Sequence, residues 1–301
     1  MSGPQHSQTL SVVVPTLNEV ENVEPLVRQI IASSPVSTEI IIVDDGSSDG
    51  TREAVRQLSA SYALRLVARD RPDFGLAGAV IEGARAATGD LLVVMDADLS
   101  HPPGEIPALI SPIVAGRTDM VIGSRYVRGG TTPGWPVYRK AMSRVASALA
   151  YPLTGVHDSM CGFFAIRRRL LLELAPAATG FKIAFEAIVR GGRDLRVLEI
   201  PIAFRDRARG RSKMTFGVAL IFSLRWLAAA AHIVSDRPRQ GKDRPQCGAS
   251  ELSANGYAAT AEVGCVDASR VRGNSGAGAL MRHNSIASPA NNSNVAKNVL
   301  P

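Results

Sequence analysis

Short apolar runs alternate with longer stretches of helical periodicity through most of the chain. Leu10 to Val14, Glu39 to Asp44, Ala63 to Ala68, Asp90 to Met95, Asp119 to Gly123, Cys161 to Ile166 and Leu195 to Phe204 read as strands. Each run is brief, bounded by turn residues and largely apolar, as in strands covered on both faces. Between them, helical spacing predicts a helix opened by Asn18 and Glu19 and running to about Ala32. Further helices are expected over Thr51 to Tyr62, Leu76 to Ala87, Pro103 to Ala115 and Phe181 to Arg190. This alternation predicts βαβ units and an α/β fold, a mostly parallel sheet flanked by helices. Proline cannot donate to a ladder, so Pro201 places the last strand at an edge. Gly78, Ala79, Gly83 and Ala84 would let the Leu76 helix lie close on the sheet. From Trp135 to Leu153, the spacing of Trp135, Tyr138, Met142, Val145, Leu149 and Leu153 predicts an amphipathic helix packed on the core and carrying Arg139, Lys140 and Arg144.

The pattern changes after Phe204. Five cations and one acid form a basic turn, Arg205 to Lys213, and an apolar stretch from Met214 to Val234 follows at once. A cationic segment abutting an apolar helix suits an anionic lipid surface. Arg225 interrupts the stretch, and a central Arg costs about 2.5–3.5 kcal/mol on insertion scales, so a helix lying in the interface fits better than a span. Beyond Ser235 large apolar residues are sparse and seven Asn occur, against only Asn18 and Asn22 before it. Such a tail buries too little to fold alone and is expected to be disordered. The expected division is a catalytic domain over 10–213, an apolar or interfacial helix over 214–235 and a disordered tail over 236–301.

Composition narrows the class. With 301 residues and 46% hydrophobic content, the chain can bury one substantial core. The formal net charge of +7 suits an anionic partner such as a phosphate or a lipid headgroup. Cys161, Cys247 and Cys265 form no C-x-x-C pair and are odd in number, which favours a reducing compartment over a zinc ribbon or disulfide framework. Met1 to Thr9 is polar and lacks the apolar core of a secretory signal, so a cytoplasmic catalytic part is expected.

The chemistry concentrates in two acidic clusters at the ends of apolar strands, Asp44-Asp45 and Asp96-Ala97-Asp98. In open α/β sheets ligands bind beyond the carboxyl ends of strands. Asp96 and Asp98 flank one small residue, a spacing that lets a chain leaving its strand aim both carboxylates at one hard cation carrying a diphosphate. Asp44 and Asp45 are then placed for a ribose and base. A dinucleotide-binding oxidoreductase would need G-x-G-x-x-G after the first strand, where Pro15 to Glu19 has no glycine.

Four segments carry a family resemblance: Val12-Val13-Val14-Pro15-Thr16-Leu17-Asn18-Glu19, Val43-Asp44-Asp45-Gly46-Ser47-Ser48-Asp49-Gly50-Thr51, Met95-Asp96-Ala97-Asp98-Leu99-Ser100-His101-Pro102-Pro103 and Gly123-Ser124-Arg125-Tyr126. Ser159 to Phe164 and Phe204 to Lys213 extend it. Over about residues 10 to 216 the chain resembles the dolichol-phosphate mannosyltransferase branch of the inverting GT-A glycosyltransferases, a Rossmann-like fold. It departs from that pattern at Ser159, Cys161, Phe185 and Arg211. The resemblance implies mannosyl transfer from GDP-mannose to a polyprenyl phosphate with Mg²⁺ or Mn²⁺, by a protein held peripherally on the cytoplasmic face of a membrane, with no nucleic-acid partner. It implies that Pro15, Leu17, Glu19, Val43, Asp45, Ala97 and Ser100 line the nucleotide-sugar site and that Asp96 and Asp98 reach the metal. Arg125, Arg139, Arg207 and Lys213 would hold phosphates, and Glu186 would face the sugar. Catalytic roles fall to Asp96, Asp98, Glu186, Arg207 and Lys213. Two alternatives stay open: glucosyl or aminosugar transfer from a UDP-sugar to undecaprenyl phosphate, and a catalytically impaired protein that only binds nucleotide sugars.

Overall fold

The computed structural model describes residues 9–34, 37–70, 73–175 and 182–205. The basic turn beyond Arg205, with Arg207 and Lys213, the apolar stretch and the tail lie outside the described residues.

Among the described residues a seven-stranded sheet forms the centre: β1 (Leu10–Thr16), β2 (Thr38–Asp44), β3 (Leu64–Ala68), β4 (Leu91–Val94), β5 (Met120–Ser124), β6 (Phe164–Arg167) and β7 (Val197–Pro201). Their order across the sheet is β3-β2-β1-β4-β6-β5-β7. β1 pairs in parallel with β2 and β4, β2 with β3, and β5 with β7, whereas β6 runs antiparallel between β4 and β5. The sheet is therefore mostly parallel, and β7, the strand holding Pro201, lies at an edge. Val12, Val13, Val14, Ile40, Ile41, Ile42, Leu92 and Val93 are fully buried, as expected of central strands covered on both faces.

The flanking helices are α1 (Val20–Ser33), α2 (Thr51–Ser59), α3 (Gly75–Ala86), α4 (Ile106–Val114), α5 (Val137–Thr154), α6 (Arg168–Leu174) and α7 (Ile183–Gly191). Close packing of α3 follows from its small residues: a Cβ at Gly83 would collide with methyl groups of Val13 and Val43. The short helix α6, following directly on β6, has no counterpart in the sequence reading, because Arg167-Arg168-Arg169 followed by Leu-Leu-Leu gives no helical period.

Helix α5 forms where its spacing predicts but faces the other way. Only Ser147 and Ala150 are buried, while Val137, Tyr138, Met142, Val145 and Leu149 are exposed. Small side chains explain the reversal: Ala150 joins Met160 and Phe185 in a minor cluster where α5 meets α7. Of the large apolar side chains, Leu153 packs against that cluster, and Val137, Tyr138, Met142, Val145 and Leu149 are left on the outer face. Among the described residues no helix is long and apolar enough to cross a membrane.

Candidate functional site

Strand order reverses between β1 and β4. The chain builds β1, β2 and β3 outward on one side, then returns to add β4 on the other. At such a switch point the loops leaving adjacent strands diverge and open a crevice. Both acidic clusters stand on this carboxyl edge, though not on adjacent strands, since β1 separates β2 from β4.

The loops after β1 and β2 are tied together. The Asn18 N–H donates to Ser47 Oγ (2.8 Å) and the Ser48 N–H to Asn18 Oδ1 (2.9 Å). Asn18 holds a left-handed backbone, φ 54°, which asparagine tolerates better than most residues. The Glu19 N–H donates to Thr51 Oγ1 (3.0 Å), Glu19 Oε2 accepts from Asn22 (2.6 Å), and the Asp45 N–H donates to Thr16 O (3.0 Å). Glu19 and Asp45 are thereby held at one edge with Pro15 and Val43, both buried, and Leu17, which is exposed.

The two acids of β2 have different tasks. Asp44 is fully buried, ion-paired with Arg52, and accepts the N–H groups of Gly46 and Ser47 at 3.1 Å. Burial works against its charge, but the Ser47 and Arg52 hydrogen bonds outweigh it and hold the carboxyl below the ordinary range. Asp44 shapes the turn through Oδ1, while its Oδ2 is buried with no hydrogen-bond partner. Asp45 is the less buried of the two, its side chain 14% exposed, and its Oδ1 lies 2.6 Å from Nη1 of Arg69. Burial raises its pKa in spite of that arginine. Arg69 is almost wholly buried and also meets Glu82 at 3.1 Å and the Gly75 carbonyl at 3.2 Å, so it fixes Asp45 to the start of α3.

After β4 the chain turns sharply through Asp96 to His101. Leu99 takes a left-handed backbone, φ 60°, unusual for its type. The Ser100 N–H closes the turn on Asp98 Oδ1 (3.1 Å), and Ser100 O accepts the Arg205 N–H (3.1 Å). Asp98 is 6% exposed, whereas Asp96 opens to the cavity beyond β1 and β4. That cavity is lined by Pro15, Leu76, Val80, Val94, Asp96, Cys161, Gly162, Phe164, Lys182, Ile183 and Ala184. Gly162 keeps it open, since a Cβ there would stand 3.3 Å from Asp96 Oδ1.

His101 supports this turn from beneath. It is 1% exposed, stacks on Phe163 with ring centroids 5.1 Å apart and meets the edge of Phe204. Its Nδ1 accepts the Asp96 N–H at 2.9 Å, which assigns the ring proton to Nε2, 4.0 Å from Cys161 Sγ. Burial lowers its pKa more than Asp96 and Asp98 raise it, so the ring is neutral. Burial likewise pushes the Cys161 thiol up to about 12. His157, by contrast, pairs with Glu199 at 2.9 Å.

The donor set fits a hard divalent cation. Asp96 and Asp98 supply carboxylate oxygens, and the hydroxyl of Ser100 is buried with no hydrogen-bond partner in the structure. Two carboxylates with substrate phosphates suffice for Mg²⁺ or Mn²⁺. Among the described residues no group of three or more His, Cys, Asp or Glu forms a complete metal cage. Ala97, between the two acids, is buried.

The expected phosphate and sugar contacts are differently placed. Arg125 forms a bidentate pair with Asp158, 2.7 and 2.6 Å, and lies 5.2–5.5 Å from the centres of the Tyr126, Trp135 and Phe204 rings. Burial opposes its charge, but Asp158 overcompensates and the guanidinium holds its proton more tightly than usual. Its fork is occupied by Asp158. Arg139, on α5, stacks over the same Trp135 at 3.9 Å. Glu186 is buried and paired with Arg190 one turn along α7, 2.8 Å away. The cavity is lined instead by Lys182, a residue the sequence reading passes over, as it does Arg69, Arg52 and Asp158.

The model of the family described as Glycosyl transferase family 2 matches residues 11–175. A dolichol-phosphate mannosyltransferase of Pyrococcus furiosus is 44% identical over 212 residues, covering 68% of this chain and 59% of its own length. Those of Mycosarcoma maydis and Saccharomyces cerevisiae are each 38% identical, with 68% of this chain matched to 73% and 80% of theirs. Among solved structures, glucosyl-3-phosphoglycerate synthase from Mycobacterium tuberculosis, in complex with Mn²⁺, UDP and glucosyl-3-phosphoglycerate, aligns with a TM-score of 0.57 at 20% identity. That alignment covers 76% of this chain and 81% of the synthase, and shares its fold. The chain belongs to glycosyl transferase family 2, in the branch of the dolichol-phosphate mannosyltransferases, and has the GT-A fold.

Proposed function

We propose that this chain transfers a mannosyl residue from GDP-mannose to a polyprenyl phosphate, with inversion at the sugar and dependence on Mg²⁺ or Mn²⁺. The observation that carries the reading is the pair Asp96 and Asp98 on one tight turn at the β1/β4 switch point, beside the partnerless Ser100 hydroxyl. The relatives' names support the acceptor class.

In this reading Pro15, Leu17, Glu19, Val43, Asp45 and Ala97 receive the nucleoside, with Arg69 orienting Asp45. Asp96, Asp98 and Ser100 would hold the cation, which when bound neutralises charge developing on the departing diphosphate. A phosphate monoester has its second pKa near 6 and is mostly dianionic at neutral pH. Its oxygen can therefore bond to the anomeric carbon, as the bond to the nucleoside diphosphate breaks, without a strong general base. The neutral buried His101 and protonated Cys161 are in keeping with this. Arg139, Arg207 and Lys213 keep the phosphate roles that the resemblance implies, and Glu186 acts on the sugar only through the packing of α7.

Peripheral attachment to the cytoplasmic face of a membrane is part of the proposal. The exposed Tyr138, Met142, Val145 and Leu149 beside Arg139, Lys140 and Arg144 support it, because apolar side chains flanked by cations suit an anionic bilayer surface.

The test is a radiolabel-transfer assay that crosses GDP- and UDP-sugars with dolichyl and undecaprenyl phosphates, with and without Mg²⁺ or Mn²⁺. Transfer from GDP-mannose supports the proposal. A preference for a UDP-sugar would reassign the donor, and nucleotide binding without transfer would make the protein a binder.

A further inference from the structure

Lys182 stands where stability alone would not put a cation. It is the N-cap residue of α7, at the helix end whose unsatisfied N–H groups already carry partial positive charge. Its side chain makes no capping bond, and among the described residues no carboxylate lies within ion-pair distance of its ammonium. Glu186, one turn further on, is paired with Arg190 instead. Yet Lys182 is partly buried and lines the cavity that holds Asp96, among the apolar side chains of Leu76, Val80, Val94, Phe164 and Ile183.

A partly desolvated cation without a counter-ion is costly unless a ligand supplies the anion. Arg125 cannot serve, since its fork is occupied by Asp158. We infer that Lys182 is a phosphate-binding residue of the cavity, receiving a phosphoryl oxygen on the side opposite the Asp96-Ala97-Asp98 turn. The inference rests on the transferase reading of this cavity. Two sources share the chemistry: the diphosphate of the donor, and the phosphate of the lipid acceptor. Neither the acidic clusters nor the basic turn points to this position.

The experiment uses the full chain and its Lys182→Met, Lys182→Gln and Lys182→Arg variants, with guanosine, GDP and undecaprenyl phosphate in detergent as probes, in the presence of Mn²⁺. Charge-assisted bonding predicts that Lys182→Met and Lys182→Gln weaken GDP by about tenfold or more while guanosine binding stays as in the wild type. The salt dependence of GDP binding should flatten, and Lys182→Arg should retain most of the affinity. If the phosphate is the acceptor's, GDP binding is unchanged and binding of undecaprenyl phosphate weakens by about tenfold or more. Either outcome supports the assignment and names its source. Unchanged affinity for both phosphates, or parallel loss of guanosine and GDP, overturns it. Thermal melting separates a structural role. A phosphate ligand at a helix N-terminus predicts that removing the cation leaves Tm unchanged or raises it, and a fall in Tm with Lys182→Gln would contradict the inference. Binding is read without turnover, so failure of the mannosyl assay would leave this result interpretable.

Discussion

The backbone N–H of Asp96 donates to Nδ1 of His101 across 2.9 Å, so the turn carrying both cluster carboxylates is hung on a buried, neutral imidazole. Replacing that ring by phenylalanine keeps the stack on Phe163 but orphans the donor. His101→Phe should therefore cost about 1–3 kcal/mol of stability, the penalty for an unsatisfied polar group. It should also weaken Mn²⁺-dependent GDP binding more than guanosine binding. Urea unfolding and nucleotide titration read both effects, and undiminished metal dependence would remove His101 from the support of the turn.

Arg125 and Asp158 provide a second case. Removing one member of a buried pair leaves a charge without its partner, which costs about 3–5 kcal/mol. Asp158→Ala should thus destabilise strongly, while Arg125→Met with Asp158→Leu should recover much of the loss. Denaturant unfolding of the single and double variants checks this. Near-additive losses would mean that Arg125 has other work in the folded protein.

How far the sequence speaks for itself is clear at this site. Apolar runs ending in Asp44-Asp45 and Asp96-Ala97-Asp98 locate the carboxyl edge, because burial on both faces and a polar strand end are local properties. What those acids touch is not local. Asp44 meets Arg52 and Asp45 meets Arg69 only after α2 and β3 are in place, so a cluster that reads as two ligands resolves into one turn-former and one binding candidate. Helix α5 shows the same limit: its period is legible, but the face it buries is set by the small residues that fit against α7. Lys182 carried no motif at all.

Close packing of α3 gives a third expectation. Gly83 lies where a Cβ would meet Val13 and Val43 methyls of the central sheet. Gly83→Ala should lose stability by overpacking, about 1–3 kcal/mol, although alanine is the better helix former. A Tm equal to or above that of the wild type would show that α3 can move off the sheet freely.

Glu39 predicts a pH effect. Its carboxylate accepts Ser11 Oγ–H (2.6 Å), Thr88 N–H and Oγ1–H (2.6 and 2.7 Å) and Gly89 N–H (3.2 Å). Burial alone would raise its pKa, but these bonds prevail and lower it. The folded state then binds fewer protons than the unfolded chain between the two pKa values. The contribution is complete above the ordinary carboxylate range and is lost as pH falls through the depressed folded value. Glu39→Gln should cost about 1–2 kcal/mol near neutrality and progressively less below about pH 4. A constant difference across that range would contradict the assignment.

In the proposed function, Asp96 and Asp98 hold the donor diphosphate through a divalent cation at the β1/β4 edge. The most direct measurement is GDP titration of the wild type and Asp98→Ala, each with Mn²⁺ and with a chelator. Without the cation, a diphosphate beside two carboxylates leaves uncompensated negative charge. The wild type should bind GDP tightly only with Mn²⁺, and Asp98→Ala weakly in both conditions, with mannosyl transfer abolished. Tight, Mn²⁺-dependent binding of GDP by Asp98→Ala, with near-normal transfer, would contradict the claim and move the metal site elsewhere.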